Sequence, residues 1–244
     1  MGGVRLIVQR LGRRGYQDAR ALQARVAAAV RAGGPDQLLC LEHPPLVSIG
    51  RGGGSTQLRC TRQELLRRGL AVAEVDRGGG VTYHGPGQLI GYAIVDLRRR
   101  RLSVRTFLRA IESALVKSLR AEGLRVGRRP GLTGVWAAEG KIAAIGIAVH
   151  RGITLHGFAL NVDPDLRHFD LIVPCGLAEP VTSMAVLGWH GRRAVLMTRL
   201  AEDLEHLLTS ASQRLLAARG PRTGPTFWGE SHSLAVVGRQ RGAA

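Results

Sequence analysis

Short apolar runs alternate along this chain with segments whose apolar residues recur every three or four positions, and glycine or proline marks most of the borders. Residues 4–11 (VRLIVQRL) predict a strand. Residues 18–32 place Ala19, Leu22, Val26 and Ala29 on one face of a helix. Residues 37–43 (QLLCLEH) predict a short strand stopped by Pro44 and Pro45. GRGGGST at 50–56 predicts a flexible loop. A second glycine-rich stretch, RGGGVTYHGPGQ at 77–88, leads into strand-like LIGYAIVDL at 89–97. Ser103 is placed to cap a helix that runs to about Glu122, with Val104, Leu108, Ile111, Leu115 and Leu119 as its apolar stripe and Gly123 as its stop. TGVWAA (133–138), KIAAIGIAV (141–149) and ITLHGFALNV (153–162) are joined by Glu139-Gly140 and Arg151-Gly152, which predicts an antiparallel meander. A last helix near 194–218 carries Leu196, Leu200, Leu204, Leu207, Leu208 and Leu215. Helices and strands interspersed in this way give an α+β (mixed α/β) fold, a mixed sheet with packed helices. Residues 1–220 are expected to form one domain, and the mixed tail at 221–244 to be poorly ordered.

At 244 residues the chain can bury a sizeable core without disulfide staples. Its three cysteines, Cys40, Cys60 and Cys175, cannot all pair with one another, which argues against a disulfide-framed secreted protein. No apolar run reaches membrane-spanning length, and the opening residues carry no signal-peptide pattern, so the expected location is the cytoplasm, away from membranes. The formal charge of +17 changes the picture, because such a field attracts polyanions. The basic residues are almost all arginine, however, which reads in part as a coding habit. Few aromatics and no nucleic-acid-binding signature exclude nucleic acid as the expected partner. The arginine bias makes the two lysines, Lys117 and Lys141, informative.

Lys141 opens an apolar run, where arginine would stay charged at every workable pH but a desolvated lysine can lose its proton. Lys117 sits off the stripe of the Ser103 helix and reads as solvated. Cys40, within LLCLEH, behaves as a small core hydrophobe. Cys175 lies between Pro174 and Gly176, where a fixed entry and a tight turn can expose sulfur. A nucleophilic cysteine needs a nearby cation to favour its thiolate, and Lys141, His84 and His156 are the candidates. The glycines around 77–87 suit either a phosphate cradle or a narrow slot in which backbone approaches a ligand closely; they match no nucleotide-binding motif. The scattered histidines show no metal-ligand spacing, so no metal is expected. The Arg98–Arg101 run reads equally as a dock for an acidic partner or as a solvated loop.

Several long segments, in order, resemble one family. LCLEHPP (39–45), RGGGVTYHGPGQLIGYAIVDL (77–97), GLTGVWAAEGKIAAIGIAVHRGITLHGFALNV (131–162) and FDLIVPCGL with VTSM (169–184) are similar to the lipoyl/octanoyl transferases. The resemblance implies a fold like the catalytic domain of biotin and lipoate protein ligases. It implies transfer of octanoate from the thioester of acyl carrier protein to a lysine of lipoyl domains, those of 2-oxoacid dehydrogenase complexes and of the glycine cleavage H protein, in lipoate biosynthesis. An ATP-dependent ligase and a lipoyl amidotransferase are the alternatives on the same fold. The family's acyl-thioester cysteine falls on Cys175 and the lysine that lowers its pKa on Lys141. Its substrate-binding segments fall on Arg77, Gly78, Gly79, Gly80, Val81, Thr82, Tyr83 and His84, on Ala144, Ile145 and Gly146, and on Gly157, Phe158 and Ala159. Gly80 departs from the polar or charged residue expected there. A thioester is already activated, so the implied reaction needs no cofactor.

Overall fold

A computed structural model describes residues 5–173 and 179–217, without the side chains of 215–217. Strand β1 (Leu6–Arg13) leads into helix α1 (Tyr16–Arg31) and then β2 (Asp36–Glu42), which returns parallel to β1. β3 (Leu46–Ile49), α2 (Arg62–Arg67), β4 (Ala71–Glu74) and β5 (Val81–His84) follow. Next come β6 (Gln88–Ile94), α3 (Val104–Ala121), β7 (Gly127–Arg129), β8 (Leu132–Ala137), β9 (Gly140–His150), β10 (Ile153–Asn161) and α4 (Arg193–Ala217). Seven strands form one sheet in the order β1-β2-β6-β10-β9-β8-β7, and β4-β3-β5 form a second, smaller one.

The β8–β9–β10 meander follows the predicted turns, Arg151 adopting φ 52 and Gly152 φ 88 at the second. α3 begins where Ser103 accepts the Thr106 amide at 3.1 Å, and its Phe107, Ile111, Leu115 and Leu119 are buried against α4 and one face of the large sheet. α1 covers the other face through Ala19, Val26, Ala27 and Val30; Ala29, expected inward, is exposed, because the face toward β10 and β6 runs through Gln23 and Val30 instead. The small sheet packs on α2 and on the 166–171 turn around Val47, Leu65, Val81, Tyr83 and Phe169.

Three sequence expectations change. The 50–56 stretch is tied down: the amides of Gly50, Arg51 and Gly52 donate to the carbonyls of Gly80, Arg77 and Gly79 at 3.0–3.1 Å. A Cβ on Gly50 would lie 2.4 Å from the Gly79 oxygen, so only glycine lets the two glycine-rich loops lie together. Strand β5 emerges inside the second glycine-rich stretch. The Arg98–Arg101 run is not a solvated loop throughout: the Arg100 side chain is 1% exposed and Arg99 26%, and both grip Asp36, which is wholly buried. Carboxylate and guanidinium satisfy each other where either alone would carry a heavy desolvation cost.

Lys117 is exposed and pairs with Asp203 at 2.7 Å. Cys40 is buried, as expected of a core hydrophobe, and Cys60 is half-buried beside the small-sheet core. Among the described residues no helix is long and apolar enough to cross a membrane, and no group of histidine, cysteine and carboxylate side chains is placed to hold a metal ion.

Candidate functional site

Where the small sheet leans on the α1 face of the large one, a narrow slot of about 40 Å³ opens. Its floor is sheet: Ile90 and Tyr92 of β6, Gly157, Phe158 and Ala159 of β10, and Ala144, Ile145 and Gly146 of β9. Strand register puts these side by side, Ala159 opposite Ala144 and Ile90, and Gly157 opposite Gly146 and Tyr92. Its roof is the glycine-rich loop, Arg77, Gly78 and Gly79, with Ser48, Val75, Thr82 and His84; Tyr16 and His156 complete the wall. Gly146 permits the close approach, since a Cβ there would stand 2.8 Å from the Gly78 carbonyl oxygen, while the Gly78 amide donates to Ile147 at 2.9 Å.

Eleven of the sequence-nominated positions thus meet in one slot: Arg77, Gly78, Gly79, Thr82, His84, Ala144, Ile145, Gly146, Gly157, Phe158 and Ala159. Three nominated positions do not line it. Strand alternation turns Val81 and Tyr83 away from Thr82 and His84 and into the small-sheet core, and Gly80 spends its carbonyl on the Gly50 amide. Tyr16, Ser48, Val75, Ile90 and Tyr92 line the slot without having been nominated.

The polar groups of the slot bond mainly to one another, although the buried Nδ1 of His84 has no hydrogen-bond partner among the described residues. Arg77, 7% exposed, donates to the Ser48 hydroxyl at 2.7 Å, to the Ser48 carbonyl at 3.0 Å and to the Gly78 carbonyl at 3.1 Å. Ser48 Oγ lies 3.0 Å from His84 Nε2; with Arg77 donating to that oxygen, the hydroxyl proton points to a neutral imidazole. Burial, then the charge of Arg77, hold His84 well below the ordinary histidine range. Burial, again followed by Arg77, pushes His156 down to about 4. Neither histidine is therefore a cation at neutral pH in this setting. His43 completes the cluster: its Nε2 meets the Tyr92 hydroxyl and its Nδ1 the Arg14 carbonyl, each at 2.7 Å, and burial lowers its pKa too.

These buried neutral histidines set an acid limit on stability. Their folded pKa values lie below the unfolded value near 6.5, so their contribution is full above that pH and is lost as the pH falls through it toward 4. For His156 alone the loss is on the order of 3 kcal/mol. Urea unfolding followed from about pH 7.5 to about pH 4.5 should show this decline, and His156→Asn should flatten it.

Lys141 lies on β9 three residues before Ala144 and does not itself line the slot. Its amide donates to the Pro180 carbonyl at 2.9 Å, and its carbonyl accepts from the Thr182 amide at 3.0 Å. Its Nζ stands 5.2 Å from the ring centre of Trp136, a buried indole that also carries Arg129 at 4.5 Å, and Arg129 in turn binds Glu179 at 2.7 Å. Gly134, φ 128, makes room: a Cβ there would lie 2.6 Å from Lys141 Cε and 2.6 Å from the Ala143 oxygen. Gly134→Ala should cost about 2 kcal/mol of stability and displace the amine, lowering both the melting temperature and any activity that depends on Lys141. Cys175 and the tail at 221–244 lie outside the described residues. The chain bordering the cysteine segment is anchored on both sides, Val173 through its amide to the Gln57 carbonyl at 2.8 Å and Pro180 through its carbonyl to Lys141.

Comparison with known proteins bears on what this arrangement serves. The model of the lipoyl protein ligase A/B catalytic domain matches residues 15–205. The octanoyltransferase of Solibacter usitatus is 50% identical over 182 residues, 74% of this chain and 83% of the relative. That of Geobacter metallireducens is 45% identical over 186 residues, 75% and 84% of the two chains. Among solved structures, a lipoate-protein ligase A bound with ATP superposes with a TM-score of 0.65 at 20% identity over 88% of this chain and 94% of that one. A bi-partite lipoate protein ligase from Thermoplasma acidophilum does so with a TM-score of 0.65 at 20% identity over 87% and 91%. At that identity the likeness is one of fold.

Proposed function

This chain belongs to the lipoyl protein ligase A/B catalytic-domain family, and within it to the octanoyltransferases of lipoate biosynthesis, and from that premise we propose that it moves an octanoyl group from acyl carrier protein to a lysine of a lipoyl domain through a thioester on Cys175. The observation that carries the reading is the slot. Its floor is apolar and rich in small residues, and Arg77, the one cation among its described lining residues, is committed to Ser48 and Gly78, so it suits an uncharged acyl chain better than a phosphate. Burying about six methylenes there contributes roughly 5 kcal/mol at ~0.8 each.

In the first step the Cys175 thiolate attacks the carbonyl of the donor thioester. The bond from acyl carbon to carrier sulfur breaks, and the carrier thiolate leaves, taking a proton from the Lys141 ammonium. In the second step the amine of the acceptor lysine attacks the new thioester. The carbon–nitrogen bond forms as the carbon–sulfur bond to Cys175 breaks, and neutral Lys141 accepts the amine's proton. The position of Lys141 supports its role: its backbone is bonded to Pro180, five positions along the chain from Cys175, and its amine lies over an indole and, among the described residues, pairs with no carboxylate. With the nearby histidines neutral, Lys141 is the cation left among the sequence's three candidates for pairing with the thiolate. The acidic character expected of carrier protein and lipoyl domain gives the +17 chain a use in steering encounter.

The test is transfer without ATP. Incubation with octanoyl-acyl carrier protein and an apo-lipoyl domain should yield an octanoyl-lysine on the domain, read by mass spectrometry. Modification seen only with free octanoate and ATP would replace this reading with a ligase.

A further inference from the structure

Beside the slot lies a second, far wider cavity of about 900 Å³, an open basin lined by Arg20, Arg31, Arg51, Asp76 and His150 among others. Tyr16, Val75 and His156 line both cavities. They are therefore the partition between a narrow apolar slot and a wide one lined by charged side chains.

Their place along the sheet gives the partition a meaning. His156 pairs with Ile147 on β9, three residues beyond Ala144, so the slot runs ~10 Å along the strand from Ala144 to the His156 wall. An extended covalent chain advances ~1.2 Å per bond, so the seven carbon–carbon bonds of an octanoyl chain span ~8–9 Å. The slot and the chain match in length if the carbonyl lies toward Lys141 and the tail toward His156. We propose that His156 and Tyr16 are the specificity-determining residues that end the acyl slot and set its limit near eight carbons, an inference that rests on the acyl-transfer reading of the site.

The wall is built to hold. His156 sits mid-strand at φ 59, a left-handed conformation costly for any residue with a Cβ. Its amide is clamped at 2.8 Å by Oε1 of Gln23, a glutamine of α1 only 2% exposed. Its imidazole, 8% exposed, stands edge-on to Tyr92 at 5.9 Å, and Tyr16 stands edge-on to His43 at 6.0 Å. A strained backbone kept in place by a buried clamp, at the boundary of two cavities, is spent on directing one side chain. Were the strand regular at this point, a longer tail could run on into the basin, where it would have 900 Å³ to enter.

The experiment opens the wall. His156→Gly removes the side chain at a position where glycine relieves the backbone strain, and Tyr16→Ala removes the other half at the first residue of α1. Binding of saturated fatty acids of six to sixteen carbons is measured by titration calorimetry on wild type and both variants, alongside transfer from octanoyl-, dodecanoyl- and hexadecanoyl-acyl carrier protein. Wild type should bind best near eight carbons. The variants should lower the preference for eight over twelve carbons by about tenfold or more. An unchanged length limit in both variants, or wild type that binds no acid of any length, overturns the inference. Wild type that binds acids with the expected limit but transfers no octanoate from the carrier overturns the acyl-transfer reading and leaves the length limit standing.

Discussion

Cys175→Ala should form no covalent octanoyl-enzyme and should transfer octanoate at least about 10⁴-fold more slowly than wild type. The two other cysteines cannot stand in for it. Burial pushes the Cys40 thiol up to about 12, so it stays protonated at neutral pH, and it sits within the large-sheet core rather than on the slot. Cys60 packs at the edge of the small-sheet core and lines no part of the slot either. Intact-protein mass measured seconds after mixing with octanoyl-acyl carrier protein reads the adduct directly. An octanoyl adduct on the alanine variant would move the nucleophile to another group. A variant without adduct that still turns over at wild-type rate would mean direct transfer from carrier to acceptor, with the slot holding the tail and no enzyme thioester.

Much of the frame was legible in the sequence because its signals are local. Ser103 announces α3 three residues before the amide it caps, and Arg151-Gly152 supplies the left-handed turn that joins β9 to β10. The small sheet was not legible. β3 and β4 are four residues each, too short for alternation to speak, and the prolines before β3 read as an ending rather than a pause. The slot was half legible for a related reason. A glycine-rich stretch advertises close backbone approach, but which of its side chains face the ligand depends on strand parity, which separates Thr82 and His84 from Val81 and Tyr83. Tyr16 and Ser48 reach the slot only through pairings between elements far apart in the chain, and no local pattern encodes them. The Arg98–Arg101 run shows the same limit: its meaning is Asp36, more than sixty positions away.

Lys141→Arg separates two duties that one lysine is asked to perform. In the proposed mechanism it favours the Cys175 thiolate as a cation and takes the proton of the incoming lysine as a neutral amine. Arginine keeps the first duty and loses the second, because its guanidinium does not give up a proton at any working pH; the departing carrier thiolate, a good leaving group as the anion, then takes its proton from solvent. It also keeps the stacking on Trp136, which already carries one guanidinium, that of Arg129. The variant should therefore fold and still acquire the octanoyl adduct on first contact with donor, while multiple turnover falls about 10²–10³-fold, the range a lost general base accounts for. Rapid-quench mass analysis should find adduct forming early and persisting, whereas in wild type it decays as fast as acceptor is supplied. Lys141→Ala makes the contrast: with neither charge nor base, it should be slow at both steps. Wild-type turnover in the arginine variant would remove the proton-accepting role while leaving the pairing of charge intact. Slow adduct formation in the arginine variant would instead place the burden on geometry. Gly134 leaves room for an ammonium at that point, and a guanidinium is wider.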